Sequence, residues 1–145
     1  QTVKYYYAQI TEQLAKEPKA DNLVVTDFIS DMGAAYKAAD LVVSHAGAGS
    51  ISEFCLLGKT VILVPSPNVA EDHQTKNALA LVNKNAALHV KDVEAPALLI
   101  PLAMDTVKDD AKLKDLSEHI LKMALPASAE IIAKEVVTLA NGKVK

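Results

Sequence analysis

The run Asp40-Leu41-Val42-Val43-Ser44-His45-Ala46-Gly47-Ala48-Gly49-Ser50-Ile51-Ser52-Glu53 empties an apolar strand into a glycine-rich turn that opens a helix. Such a junction binds anions. The helix start presents backbone N–H groups without intrahelical partners and the positive end of the dipole, and Gly47 and Gly49 let a phosphate approach with no Cβ in the way. A nucleotide diphosphate is the first ligand this chemistry suggests. The turn holds two glycines of the G-x-G-x-x-G fingerprint, with Ser52 at the third place. No acidic residue follows about 20 positions on at a strand end, and GxxxxGK[ST] is absent, so neither a dehydrogenase nor a nucleotide triphosphatase is indicated.

Around this turn stand groups with two readings each. Ser50-Ile51-Ser52-Glu53 reads as a capping box, the serine capping the helix and the glutamate returning to its N–H. Alternatively Glu53, one turn inside, accepts two hydrogen bonds from a ribose diol, for which a carboxylate's acceptor-only oxygens are suited. In Asp72-His73-Gln74-Thr75, Asp72 reads as a helix N-cap. Gln74 is either a solvated helix-start residue or, with donor and acceptor atoms, a partner for sugar hydroxyls. His73 reads as a loop residue, having no Ser or Cys partner in view. His45 either donates to a phosphate or fills the strand end. Cys55, the only cysteine, reads as a buried small hydrophobe on a helix; one cysteine gives no intrachain disulfide and no thiolate cluster for zinc.

These residues must be positioned by an α/β layer. Leu23-Val24-Val25-Thr26, Leu41-Val42-Val43 and Val61-Ile62-Leu63-Val64 read as parallel strands covered on both faces, with Ala86–Val90 as a fourth. Helices are predicted at about Val3–Ala15, Met32–Ala39, Ile51–Leu57 (stopped by Gly58) and His73–Asn83. From Pro96 on the chain reads as helices only, at about Ala97–Met104, Asp109–Met123 and Ala127–Asn141, with Leu113, Leu116, Ile120, Met123, Ile131, Val136 and Leu139 supplying apolar faces. Ligands of an open parallel sheet collect outside the carboxyl ends of its strands, so the loops Asp27–Met32, Ser44–Ser50 and Pro65–Gln74 are expected to share one crevice.

The 145 residues fit a single domain, half of them hydrophobic and 23% charged, as in globular chains. A net charge of −3 argues against general nucleic-acid binding. No apolar stretch reaches the roughly 20 residues of a membrane span, and no secretory signal pattern opens the chain, which makes the cytoplasm the default compartment. The chain opens at Gln1 with a predicted helix where a doubly wound domain ordinarily has a strand, so it is expected to be a fragment lacking its first strand.

Phe28-Ile29-Ser30-Asp31-Met32, the Ala39–Glu53 segment, Pro65-Ser66-Pro67 and Glu71-Asp72-His73-Gln74-Thr75-Lys76-Asn77-Ala78 together resemble the peptidoglycan N-acetylglucosaminyltransferases of glycosyltransferase family 28. The likeness covers nearly all of the chain, as the C-terminal, donor-binding half of a two-domain GT-B enzyme with a Rossmann-like parallel sheet. It implies transfer of GlcNAc from UDP-GlcNAc to lipid I, forming lipid II, with no cofactor or metal, at the cytoplasmic face of the bacterial inner membrane. It further implies that Ile29 meets the uracil edge through its backbone with Met32 nearby, that Ala48, Gly49 and Ser50 offer N–H groups to the diphosphate, that Glu53 holds the ribose diol and that Gln74 holds GlcNAc hydroxyls. The acceptor site, the membrane-facing patch and the catalytic base belong, by the same resemblance, to the other half, so no catalytic residue is expected here and little turnover by this piece alone.

Two positions depart from the family pattern. His45 stands where arginine is common, replacing a permanent charge near the phosphates by one that depends on pH. Thr75 replaces a second glutamine, removing one implied sugar contact. The competing expectations are a glycolipid synthase that glycosylates diacylglycerol, and a non-catalytic donor-binding subunit that works beside a separate membrane-bound chain.

Overall fold

The computed structural model describes residues 8, 11–12, 15–16, 22–67 and 72–142. The chain divides into two compact units, residues 1–38 and 39–145. In the first, helix α1 spans Met32–Ala38. Its start is capped by Asp31, whose Oδ1 accepts the Ala34 N–H at 2.8 Å. The helix expected at Val3–Ala15 lies largely outside the described residues; within it Ala8, Thr11 and Glu12 are helical.

Leu23-Val24-Val25-Thr26 is not a strand. It runs without regular structure, and Val24 is 87% exposed. A β-branched run becomes a strand only when a neighbour completes its ladder, and the described sheet has its three strands elsewhere, with β1 at its edge.

In the 39–145 unit, β1 (Val42–Ser44), β2 (Val61–Leu63) and β3 (Leu88–His89) form a parallel sheet in the order β1-β2-β3. Val42, Val43 and Ser44 face Val61, Ile62 and Leu63, and Ile62 and Leu63 face Leu88 and His89. The central strand is fully buried, which is why it reads Val-Ile-Leu with no polar alternation. Burying each such side chain stabilises the fold by about 1.5–3 kcal/mol. Ile62, Val64 and Val90 form a buried cluster on which Leu41, Leu99 and Leu102 pack.

The helices of this unit are α2 (Ala48–Leu57), α3 (His73–Val82), α4 (Ala95–Val107), α5 (Asp110–Leu121) and α6 (Ser128–Ala140). Helix α2 closes on Gly58, whose φ of +61° is the left-handed conformation a glycine adopts without strain, and Lys59 N–H returns to Phe54 O at 3.0 Å. Helix α5 is fastened over this turn: Ser117 Oγ donates to Gly58 O at 2.6 Å and Thr60 Oγ1 to Leu113 O at 3.0 Å. Leu116 and Ile120 are buried beneath it. Helix α4 runs through Pro101, as the helix expected at about Ala97–Met104 does. The expected apolar face of the last helix forms but is not buried: Ile131, Val136 and Leu139 are all exposed.

Candidate functional site

The turn after β1 is the centre of the site. Helix α2 begins at Ala48, three residues before the expected start, with Gly47 in the N-cap position at φ −71°, ψ 139° and no side-chain cap. The first intrahelical bond is Ile51 N–H to Gly47 O at 3.0 Å. The N–H groups of Ala48, Gly49 and Ser50 therefore precede the helix ladder, as a helix start requires. Ser50 is the third helical residue and not the cap, so Ser50 and Glu53 do not form the capping box. Ser52 is bonded locally, its Oγ donating to Ala48 O at 3.0 Å.

Neither packing nor backbone conformation demands the glycines. A Cβ on Gly47 or Gly49 would meet nothing within 4 Å, and neither residue has positive φ. What the missing Cβ atoms leave is open space beside a helix start. Glu53 lies three and four residues beyond Ser50 and Gly49, hence on the same face of α2 one turn deeper, and is exposed.

The turn after β2 is drawn to the turn after β1 by Gln74, in the first turn of α3. Its Oε1 accepts N–H groups from Ala46 at 3.3 Å and Ser66 at 2.9 Å. Both partners are donors, which fixes the oxygen at that end and leaves the Nε2 protons as what Gln74 can offer a ligand. The expected dual donor and acceptor role is thus halved. Asn77, one turn on, donates from Nδ2 to Ala46 O at 3.1 Å. Asn77 is not among the residues expected at the site from the sequence; its three-residue spacing from Gln74, which places both amides on one helix face, is the signal that marks it.

His45 is exposed, and its Nδ1 lies 2.8 Å from Val64 O. Asp72 occupies the N-cap position of α3 with φ +56° but makes no side-chain cap bond. Thr75 lies with Pro65, His89 and Lys91 on an open pocket of about 530 Å³ beside the first turn of α3. Cys55 is 5% exposed, and burial pushes its thiol above the ordinary value, in accord with a packing role. Ile29 and Met32 belong to the 1–38 unit, where they are 45% and 42% exposed. The structure thus brings together the Ser44–Ser50 and Pro65–Gln74 loops of the three expected to converge. Among the described residues, no group of three His, Cys, Asp or Glu side chains is set to hold a metal ion, and no helix is long and apolar enough to cross a membrane.

Residues 1–135 match the model of the glycosyltransferase family 28 C-terminal domain. A relative from Bacteroides thetaiotaomicron, named UDP-N-acetylglucosamine--N-acetylmuramyl-(pentapeptide) pyrophosphoryl-undecaprenol N-acetylglucosamine transferase, is 66% identical over 99% of this chain and 38% of its own length. A protein of the same name from Cytophaga hutchinsonii is 49% identical over 97% of this chain and 37% of its own. The chain spans less than two-fifths of these curated relatives. Among solved structures, MurG of Acinetobacter baumannii superimposes with a TM-score of 0.79 at 25% identity, covering 91% of this chain and 40% of that one. The glycotransferase of kitacinnamycin, at 22% identity and a TM-score of 0.58, shares the fold. The parallel sheet with its flanking helices and the match over 135 residues agree: the chain belongs to the glycosyltransferase family 28 C-terminal domain family.

Proposed function

We propose that this chain is the donor-binding part of an inverting glycosyltransferase that moves GlcNAc from UDP-GlcNAc onto lipid I, giving lipid II at the cytoplasmic face of the inner membrane. The name carried by relatives that are 49% to 66% identical supports this substrate pair over a diacylglycerol acceptor. The observation that carries the reading is the start of α2, which has no side-chain cap and has open space at Gly47 and Gly49.

In this reading the ribose, diphosphate and sugar of the donor lie along residues 39–82. The diphosphate meets the start of α2, the ribose diol meets Glu53, and the sugar takes hydrogen bonds from Gln74 Nε2. The uracil contact that the resemblance implies for Ile29 and Met32 falls on the 1–38 unit and is tested by itself. As the acceptor hydroxyl attacks the anomeric carbon, negative charge grows on the departing diphosphate. The N–H groups of α2 already point where that charge develops, so they stabilise it without reorganising, a preorganised electrostatic contribution. The base that takes the acceptor proton, the acceptor site and the membrane contact are assigned to the part of the relatives that this chain does not span.

Titrating UDP and then UDP-GlcNAc into the 15N-labelled chain tests this. Amide signals of Ala48, Gly49, Ser50 and Glu53 should shift with either ligand, those of Ile29 with the uracil, and the Gln74 side-chain amide only with the sugar. Unmoved signals at the start of α2 overturn the assignment.

A further inference from the structure

Gly47, Ala48 and Gly49 form a stretch that on its own has little to hold its direction, since two glycines admit a wide range of backbone angles. Yet oriented donors help an anion only when their positions are already set. The peptide planes on either side of Ala46, the residue entering this stretch, are held from outside. Gln74 Oε1 takes the Ala46 N–H, and Asn77 Nδ2 gives to the Ala46 carbonyl. Ala46 itself is 0% exposed, so water does not compete for either group.

We propose that Asn77 is a positioning residue for the diphosphate: its bond to the Ala46 carbonyl fixes the Ala46–Gly47 peptide plane and hence the aim of the first N–H groups of α2. This inference rests on the donor-site reading above. Asn77 and Gln74 act as a pair, three residues apart on one helix face, and share the task unequally. Gln74 also joins the second loop through Ser66, whereas the described hydrogen bond of Asn77 goes to Ala46 alone.

The test compares Asn77→Leu with the parent chain, because leucine keeps the approximate size and removes the donor without adding charge. Binding of UDP, inorganic pyrophosphate and uridine is measured by NMR titration. UDP and pyrophosphate should both bind about tenfold more weakly, the scale of one lost buried hydrogen bond, while uridine binds within about twofold of the parent. In the free protein the amide signals of Gly47 to Ser50 should move while those of β3 stay in place. Should Asn77→Leu not fold, Asn77→Ser, smaller and polar, is carried through the same comparison. Equal losses for uridine and UDP, or no loss for either, overturn the positioning role. If the parent chain shows no response to UDP or pyrophosphate, the donor-site reading itself has failed, which the variants alone would not show.

Discussion

The Nδ1 atom of His45 sits 2.8 Å from the carbonyl oxygen of Val64, joining the end of β1 to the end of β2. A carbonyl only accepts, so Nδ1 carries the proton and the neutral ring presents Nε2 as an acceptor. His45→Leu, which puts an apolar side chain in its place and removes the Nδ1 donor, should lower stability by about 0.5–1.5 kcal/mol by leaving the Val64 carbonyl without its partner. Thermal unfolding of the variant beside the parent decides it, and an unchanged melting temperature would show that the bond does not support the join between the two strand ends.

Gly49→Ala separates stability from binding. The position is helical, its φ is ordinary, and a Cβ meets nothing within 4 Å. Alanine should raise stability by about 0.5–1 kcal/mol, because it reduces the freedom of the unfolded chain. The same methyl group is added to the helix start proposed to meet the diphosphate. UDP affinity should fall about tenfold or more even as the melting temperature rises. A stabilised variant with unchanged UDP binding removes the start of α2 from the site.

The sheet and the site were legible to different depths. Val61-Ile62-Leu63 could be read because a strand covered on both faces has no polar positions to confuse its pattern. The strand expected at Leu23–Thr26 is similarly rich in branched residues and did not form, since pairing belongs to the neighbour as much as to the run itself. The start of α2 was misplaced because glycines are poor helix formers and Ser50 imitates a cap, whereas the cap position is held by Gly47. Gln74 was found by its chemistry. That its oxygen is already committed to Ala46 and Ser66, and that Asn77 shares the grip, depended on two loops meeting 28 and 31 residues away, which no local pattern encodes.

Cys55 gives a check on packing independent of any ligand. Its thiol is held above the ordinary 9.0 by burial, which disfavours the thiolate. A raised folded value means this contribution to stability is fully present below 9.0 and is lost as the pH rises through the higher folded value. Alkylation by iodoacetamide at neutral pH should proceed at least about tenfold more slowly in the native chain than in denaturant. Comparable rates would place the thiol at the surface.

Glu53→Gln tests the ribose contact. Glu53 is the sixth residue of α2, too deep to cap it, and is exposed, so a glutamine of the same size should keep the fold. Replacing a charged acceptor pair by an amide should weaken UDP about tenfold to a hundredfold. Inorganic pyrophosphate, which has no diol, should bind within about twofold of the parent. Equal losses for the two ligands would move Glu53 from the ribose to the general field around the helix start.

Gln74→Glu asks what remains of the amide once its oxygen is committed. A carboxylate still accepts from the Ala46 and Ser66 N–H groups, so the two loops stay joined. It has no protons to give, and the donation assigned to the sugar disappears. The added charge acts on UDP and UDP-GlcNAc through the same diphosphate, so it should weaken both by a similar factor. The ratio of the two affinities isolates the sugar contact, and should drop about fivefold or more in the variant. Gln74→Leu, in contrast, loses the oxygen as well, leaving both N–H groups unmatched, and should weaken UDP itself. If Gln74→Glu keeps the parent's ratio, the sugar lies elsewhere and Gln74 serves only to hold the two loops together.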